Sequence, residues 1–231
     1  MKRSVEIIAQ SVKDAVNAEK GGADRIELVS ALSEGGLTPS LGMVEEVLKN
    51  VNIEVAVMVR PTSETFCYDE HYLNVIKRDI EIFAEVGVKR IVVGILDKNG
   101  NVDIEALNYV LSGADIEVTF HRAIDESKNI LENIEKINSC KKVSHILTSG
   151  GKGKAFENLD KIRQIIEKSN KKIMLGSGLN DVLIDKITAE LECCTKTYDM
   201  HFGTFAQDEN REVSIEKVER VAKKIQKNKY E

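Results

Sequence analysis

The sequence predicts a (β/α)8 barrel, and three observations carry that expectation. Eight short apolar runs punctuate the chain. Their starts fall between residues 5 and 198, about 28 residues apart on average, which is the length of one strand–helix unit. No proline- or serine-rich linker interrupts the alternation, and the only prolines are Pro39 and Pro61. A chain of 231 residues is the size of one such barrel, so residues 1–231 are expected to form a single domain. A doubly wound open sheet is the competing architecture, and it requires two or three of these runs to be misread.

Taken in order, the runs are VEIIA from Val5, RIELV from Arg25, IEVAVMV from Ile53 and RIVVGIL from Arg90. IEVTF from Ile116, SHILT from Ser144, KIMLG from Lys172 and YDMHFG from Tyr198 complete the set. Helical patterns fill the gaps. VKDAVNAEKGG puts Val12, Ala15 and Val16 on one face and stops at Gly21-Gly22. YLNVIKRDIEIFAEVG carries Leu73, Ile76, Ile80, Phe83 and Ala84 at helical spacing and stops at Gly87. NLDKIRQIIEK and VSIEKVERVAKKI repeat the scheme.

Composition excludes several classes. A net charge of −5 offers no basic field for a phosphate backbone, so nucleic acid is not an expected partner. The basic tail AKKIQKNKYE reads as the end of a solvated helix. No apolar run reaches the length of a membrane span, and MKRSVEIIAQS lacks a signal-like apolar segment, so a cytoplasmic protein without membrane contact is expected. The four cysteines, Cys67, Cys140, Cys193 and Cys194, form no Cys-x-x-Cys pattern. Three of them read as small apolar residues near helix ends; Cys67 lies in a polar, loop-like stretch.

A barrel gathers its chemistry at the C-terminal ends of its strands. Sorted by that rule, the first two runs carry Glu6 and Glu27, the third ends in Arg60 and the fourth in Asp97. The fifth ends in His121-Arg122, the sixth in Thr148-Ser149-Gly150-Gly151, the seventh in Gly176-Ser177-Gly178 and the eighth in His201-Phe202-Gly203. The opposite strand ends read as ordinary positions. Arg60 and Arg122 suit a carboxylate or phosphate held in bidentate fashion. His121 suits proton transfer near neutrality, with Glu27 or Glu6 orienting it or acting as the base. Ser149, Gly150, Gly176, Ser177 and Gly178, with Lys152 and Lys154 near, suit an anion held by backbone N–H groups, and His201 joins this anion-binding set. Each feature also has a structural reading: Glu6–Arg122 and Glu27–Arg60 as scaffold ion pairs, His201 as a core histidine, the glycines as tight turns. Since strand side chains alternate, His121 and Arg122 should part, one toward the mouth and the other bracing the rim.

The blocks GADRIELVSALSEGGLTPSLG (22–42), MVRP (58–61), FCY (66–68), GNVD (100–103), VTFHRAID (118–125) and ILTSGG (146–151) resemble the CutC family, and the resemblance runs to about Gly203. It implies a barrel fold, a cytoplasmic homo-oligomer and a link to copper homeostasis with copper, as Cu(I), as the bound ion. Family cysteines expected after the first two strands are replaced here by Ile8-Ala9 and Val29, so Cys67 alone keeps a family position. The family's RPRGGDF reads RPTSETF, and its His-x-Ser reads His201-Phe202-Gly203. Cu(I) prefers thiolate and thioether ligands, for which Cys67 is the metal candidate, with Met58, Met200 and His201 behind it. A harder divalent ion would look instead to Glu6, Glu27, Asp97 and His121. Two readings therefore stand: a copper-binding homeostasis protein, or an acid–base barrel enzyme acting on a small anionic metabolite.

Overall fold

The computed structural model describes residues 3–227; the last four residues of the basic tail lie outside the described residues. Eight strands close into one parallel barrel in chain order. They are β1 (Val5–Ala9), β2 (Arg25–Leu28), β3 (Glu54–Met58), β4 (Arg90–Val93), β5 (Glu117–Phe120), β6 (Val143–Thr148), β7 (Lys172–Leu175) and β8 (Tyr198–Phe202). The open-sheet alternative is thereby excluded, because β1 pairs with β8 as well as with β2.

Why these runs become strands follows from their two buried faces. Ile7, Ile26, Val57, Ile91, Val118, Ile146 and Ile173 point outward and are sealed under helices. Ile8, Val29, Ala56, Met58 and Val92 point inward and form a small separate cluster inside the ring. A strand covered on both sides reads as a continuous apolar run.

The helices between strands are α1 (Val12–Lys20), α2 (Leu41–Asn50), α3 (Glu70–Glu85), α4 (Ile104–Val110), α5 (Ala123–Glu126), α6 (Ile130–Asn138), α7 (Leu159–Lys168), α8 (Asp181–Glu190) and α9 (Ile215–Lys227). Ser11, Ser40, Asp69, Asp103 and Asn180 cap α1, α2, α3, α4 and α8 by accepting backbone N–H bonds in the first turn. In α3 the residues Ile76, Ile80 and Phe83 are the buried ones, the expected spacing for one helix face.

The N-terminal ends of the strands are not the ordinary positions the sequence suggested. Arg90 donates to Glu54 at 2.8 Å, to Glu117 at 2.5 Å and to His145 Nδ1 at 2.9 Å. Asp199 faces Lys172 at 3.5 Å and His145 Nε2 at 3.7 Å. Inward-facing first residues of successive strands thus form a paired ionic floor beneath the barrel. It went unseen because no single pair is local in sequence.

Candidate functional site

A cavity of about 370 Å³ opens at the C-terminal ends of the strands, within the range of small-ligand sites. Glu27, Arg60, His121, Arg122 and His201 line it, with Ile8, Met58, Phe66, Leu147 and Leu179 supplying apolar surface. Ser177 and Gly178 from the β7 loop and Gly203 to Phe205 from the β8 loop close one side. Ser177 holds a left-handed conformation, φ +79°, although it is not glycine.

β5 stops at Phe120, so His121 and Arg122 leave the strand just as the chain turns into α5. The two side chains do part. The His121 ring is 4% exposed and faces the cavity, resting against Phe66 at a centroid distance of 5.0 Å. A Cβ on Gly94 would come within 2.5 Å of that ring, so the absence of a side chain there makes room for it. Nδ1 of His121 accepts from the Ala123 backbone N–H at 3.2 Å, while Nε2 is buried without a partner. Burial, reinforced by the Arg60 and Arg122 charges, pushes its pKa down to about 3. The ring is therefore neutral, and its proton sits on Nε2. The expectation of a histidine titrating near neutrality is corrected: His121 offers a fixed N–H donor.

Arg122 braces the rim, donating to Asp125 at 3.0 Å and to Ser149 Oγ at 2.9 Å. Asp125 is the residue that sequence reasoning missed. Its buried carboxylate also accepts from Thr148 Oγ1, Ser149 N–H, Ser149 Oγ and Gly151 N–H. Gly150 N–H goes to Thr148 Oγ1. The loop donors at Ser149 and Gly151 are thus occupied by an internal anion, and that at Gly150 by a side-chain hydroxyl. The i, i+3 spacing of Arg122 and Asp125 was the available signal.

Arg60 reaches the cavity but has no free bidentate fork. Its Nη atoms donate to the carbonyls of Glu34, Gly36 and Ser63, the guanidinium lies 4.7 Å from the Phe66 ring centroid, and only the buried Nε lacks a partner. Neither Glu6–Arg122 nor Glu27–Arg60 forms a pair. Glu6, wholly buried, pairs with Arg25 and accepts from His201 Nδ1 at 2.7 Å. It sits beneath the cavity instead of lining it, because β1 is staggered so that Glu6 lies level with Arg25, the first residue of β2.

A ladder results, buried from Arg25 through Glu6 and His201 to Glu27 and ending at the partly exposed Glu54. Burial works to raise the Glu6 carboxyl, but Arg25 and His201 beside it prevail and hold it well below the usual carboxylate range. His201 is opposed by burial yet raised by Glu27 and Glu6. Its Nε2 lies 3.8 Å from Glu27 Oε2. Burial, with the Glu6 charge adding to it, pushes Glu27 up to about 7, against the opposing pull of His201 and Arg25. Glu27 Oε1 is buried with no partner. Gly176 sits against this ladder, where a Cβ would come 3.3 Å from the His201 ring and 2.7 Å from Leu147.

Among the described residues, Glu6, Glu27 and His201 form the group whose donor atoms lie within 4.8 Å of one another, the spacing of a metal site. The donor set does not fit Cu(I): it holds no sulfur, and Glu6 is already committed to the Arg25 guanidinium. Cys67 does not join it. Its N–H bonds Thr65 Oγ1, and it lies outside the cavity lining. Asp97 closes a turn with Asn99 and Asn101. Met200 is buried in the outer core.

A family model described as the CutC family matches residues 3–201. The chain belongs to the CutC family. It is 41% identical over 179 residues to the family protein CutC of Erwinia tasmaniensis, spanning 77% of this chain and 71% of that one. It is 38% identical over 186 residues to the human copper homeostasis protein cutC homolog, spanning 79% and 68%. The crystal structure of CutC from Streptococcus agalactiae superposes with a TM-score of 0.80 at 28% identity, covering 88% of this chain and all but 1% of that one. Phosphoribosylanthranilate isomerase of Thermotoga maritima, 14% identical with a TM-score of 0.66 over 98% of this chain and 100% of that one, shares the barrel fold alone.

Proposed function

We propose that this CutC-family barrel binds a small anionic metabolite in its mouth and moves a proton on it, with Glu27 as the acid–base group. One observation carries the reading: Glu27 lines the cavity and keeps a buried carboxyl oxygen, Oε1, without a partner, and burial tunes that carboxyl to about 7. An acid–base group works best when its pKa lies near the operating pH. His201, fixed by Glu6, is the positioning residue for Glu27. The outer edge of Arg122, with Ser177 and Gly178 beside it, supplies the anion contact. The human relative is named for copper homeostasis, and we propose the same setting for this chain, in the cytoplasm and as a homo-oligomer. Within that setting the mouth's oxygen and nitrogen donors favour an organic anion over Cu(I).

Calorimetric titration with 2-phosphoglycolate at pH 7, repeated in buffers of different ionisation heat, tests the reading. Binding is expected to be accompanied by a change in bound protons. Glu27→Gln should remove that proton change, and Arg122→Met should weaken binding about tenfold or more. Absence of binding, or binding indifferent to both substitutions, would overturn it.

A further inference from the structure

Three residues that line the cavity each keep a buried polar atom without a protein partner: Glu27 Oε1, His121 Nε2 and Arg60 Nε. They differ in chemistry. Arg60 and Arg122 carry fixed positive charge, Glu27 is a carboxyl, and His121 is a neutral N–H donor whose tautomer is set by the Ala123 amide. Buried polar groups are ordinarily satisfied, so atoms left open together in one cavity describe the ligand that completes them.

Each atom specifies a piece of that ligand. A phosphate or carboxylate answers the arginines. A neutral N–H donor among cations is a poor choice for an oxygen that already carries full charge. It suits an oxygen that gains charge only as the reaction proceeds, namely a carbonyl turning into an enolate. The carboxyl, carried on β2 while His121 follows β5, faces the same enclosed space from a different wall. It suits a C–H proton beside that carbonyl.

We infer, resting on the reading above, that the ligand is a small carbonyl compound bearing a phosphate or carboxylate, and that the site enolises it. Glu27 carboxylate takes the proton from the carbon next to the carbonyl. The C–H electron pair becomes the new carbon–carbon double bond, and the carbonyl π pair moves onto oxygen. His121 Nε2–H donates a hydrogen bond to that oxygen and keeps its proton. Returning the proton from Glu27 to the same carbon restores the substrate; returning it to the neighbouring carbon, where a hydroxyl proton can shift, gives the isomer. No oxidant, reductant or leaving group is required. His201 and Glu6 act behind Glu27 as positioning residues.

Proton exchange in 2H2O, followed by NMR on the purified full chain with dihydroxyacetone phosphate and with 2-oxobutyrate, tests this step. At least one probe should lose its α-proton signal 100-fold or more faster than in buffer. Glu27→Gln should abolish the acceleration. His121→Gln should lower the rate 10-fold or more while leaving the half-saturating concentration nearly unchanged, and thermal unfolding confirms that both variants fold. Exchange no faster than in buffer for both probes overturns the inference. If 2-phosphoglycolate still binds with its proton change, the reading above survives that failure; if it does not, both fall.

Discussion

The two ends of this barrel use the same residue types to opposite ends. At the floor, Arg90 meets Glu54, Glu117, Ser144 and His145, and Asp199 meets Ser4, Lys172 and His145. At the mouth, Glu27, His121 and Arg60 each keep a buried atom without a partner. The floor's charges satisfy one another and hold the strand starts together. The mouth's charges are held in place by neighbours behind them, with one polar atom of each left unpaired. Polar content alone does not distinguish scaffold from site; the number of partners does.

The sharpest way to break this comparison is to remove one residue from each end. Arg90→Met removes the buried guanidinium that joins Glu54, Glu117, Ser144 and His145 and should cost about 1–2 kcal/mol in chemical denaturation, since the two carboxylates are partly exposed and regain water, while 2-phosphoglycolate affinity stays unchanged. Glu27→Gln should act with the opposite sign. Its native carboxyl holds a proton to about pH 7, whereas an unfolded glutamate releases it near pH 4.3. The stability that the neutral form contributes is present below that lower value and lost as pH rises through 7. The variant should therefore be more stable than the parent by about 3 kcal/mol at pH 8 and equal to it at pH 4. A loss of stability at pH 8 would place Glu27 with the scaffold.

The smallest effect expected is at Cys67. It lies outside the cavity lining, so Cys67→Ser should change stability by no more than about 0.5 kcal/mol. Cu(I) competition titrations of parent and variant should then give the same weak binding. Stoichiometric binding lost on this one change would shift the account toward a thiol-based copper site.

Much of the fold was legible in the sequence because every strand is largely buried and carries an unbroken apolar outer face, which leaves eight bounded runs to read. The strand-end rule also singled out His121, Arg122, Glu27 and His201, which line the cavity. Depth was not legible. Glu6 falls beneath the mouth because barrel strands are staggered, and that stagger is a property of closure, not of any one run. The titration order was hidden for a related reason. His121 is driven down and Glu27 up by burial and by charges from other strands, so the group suited to neutral pH is the acid and not the imidazole. Asp125 escaped notice because a carboxylate in a rim helix looks solvated until the β6 loop folds over it. Arg60 looked free because the carbonyls it binds, those of Glu34, Gly36 and Ser63, belong to loops without a sequence signature.

The four histidines, His71, His121, His145 and His201, make the central claim open to a direct measurement: 15N-resolved NMR of their rings between pH 5 and 8, with His121→Gln and His201→Gln supplying the assignments. His121 is expected to remain a neutral Nε2–H tautomer across the range, since its pKa lies near 3, and its Nε2 resonance should move when 2-phosphoglycolate is added. His201 is expected to stay protonated at pH values where an ordinary histidine has lost its proton. Two rings titrating together near pH 6.5, neither responding to the anion, would contradict the account.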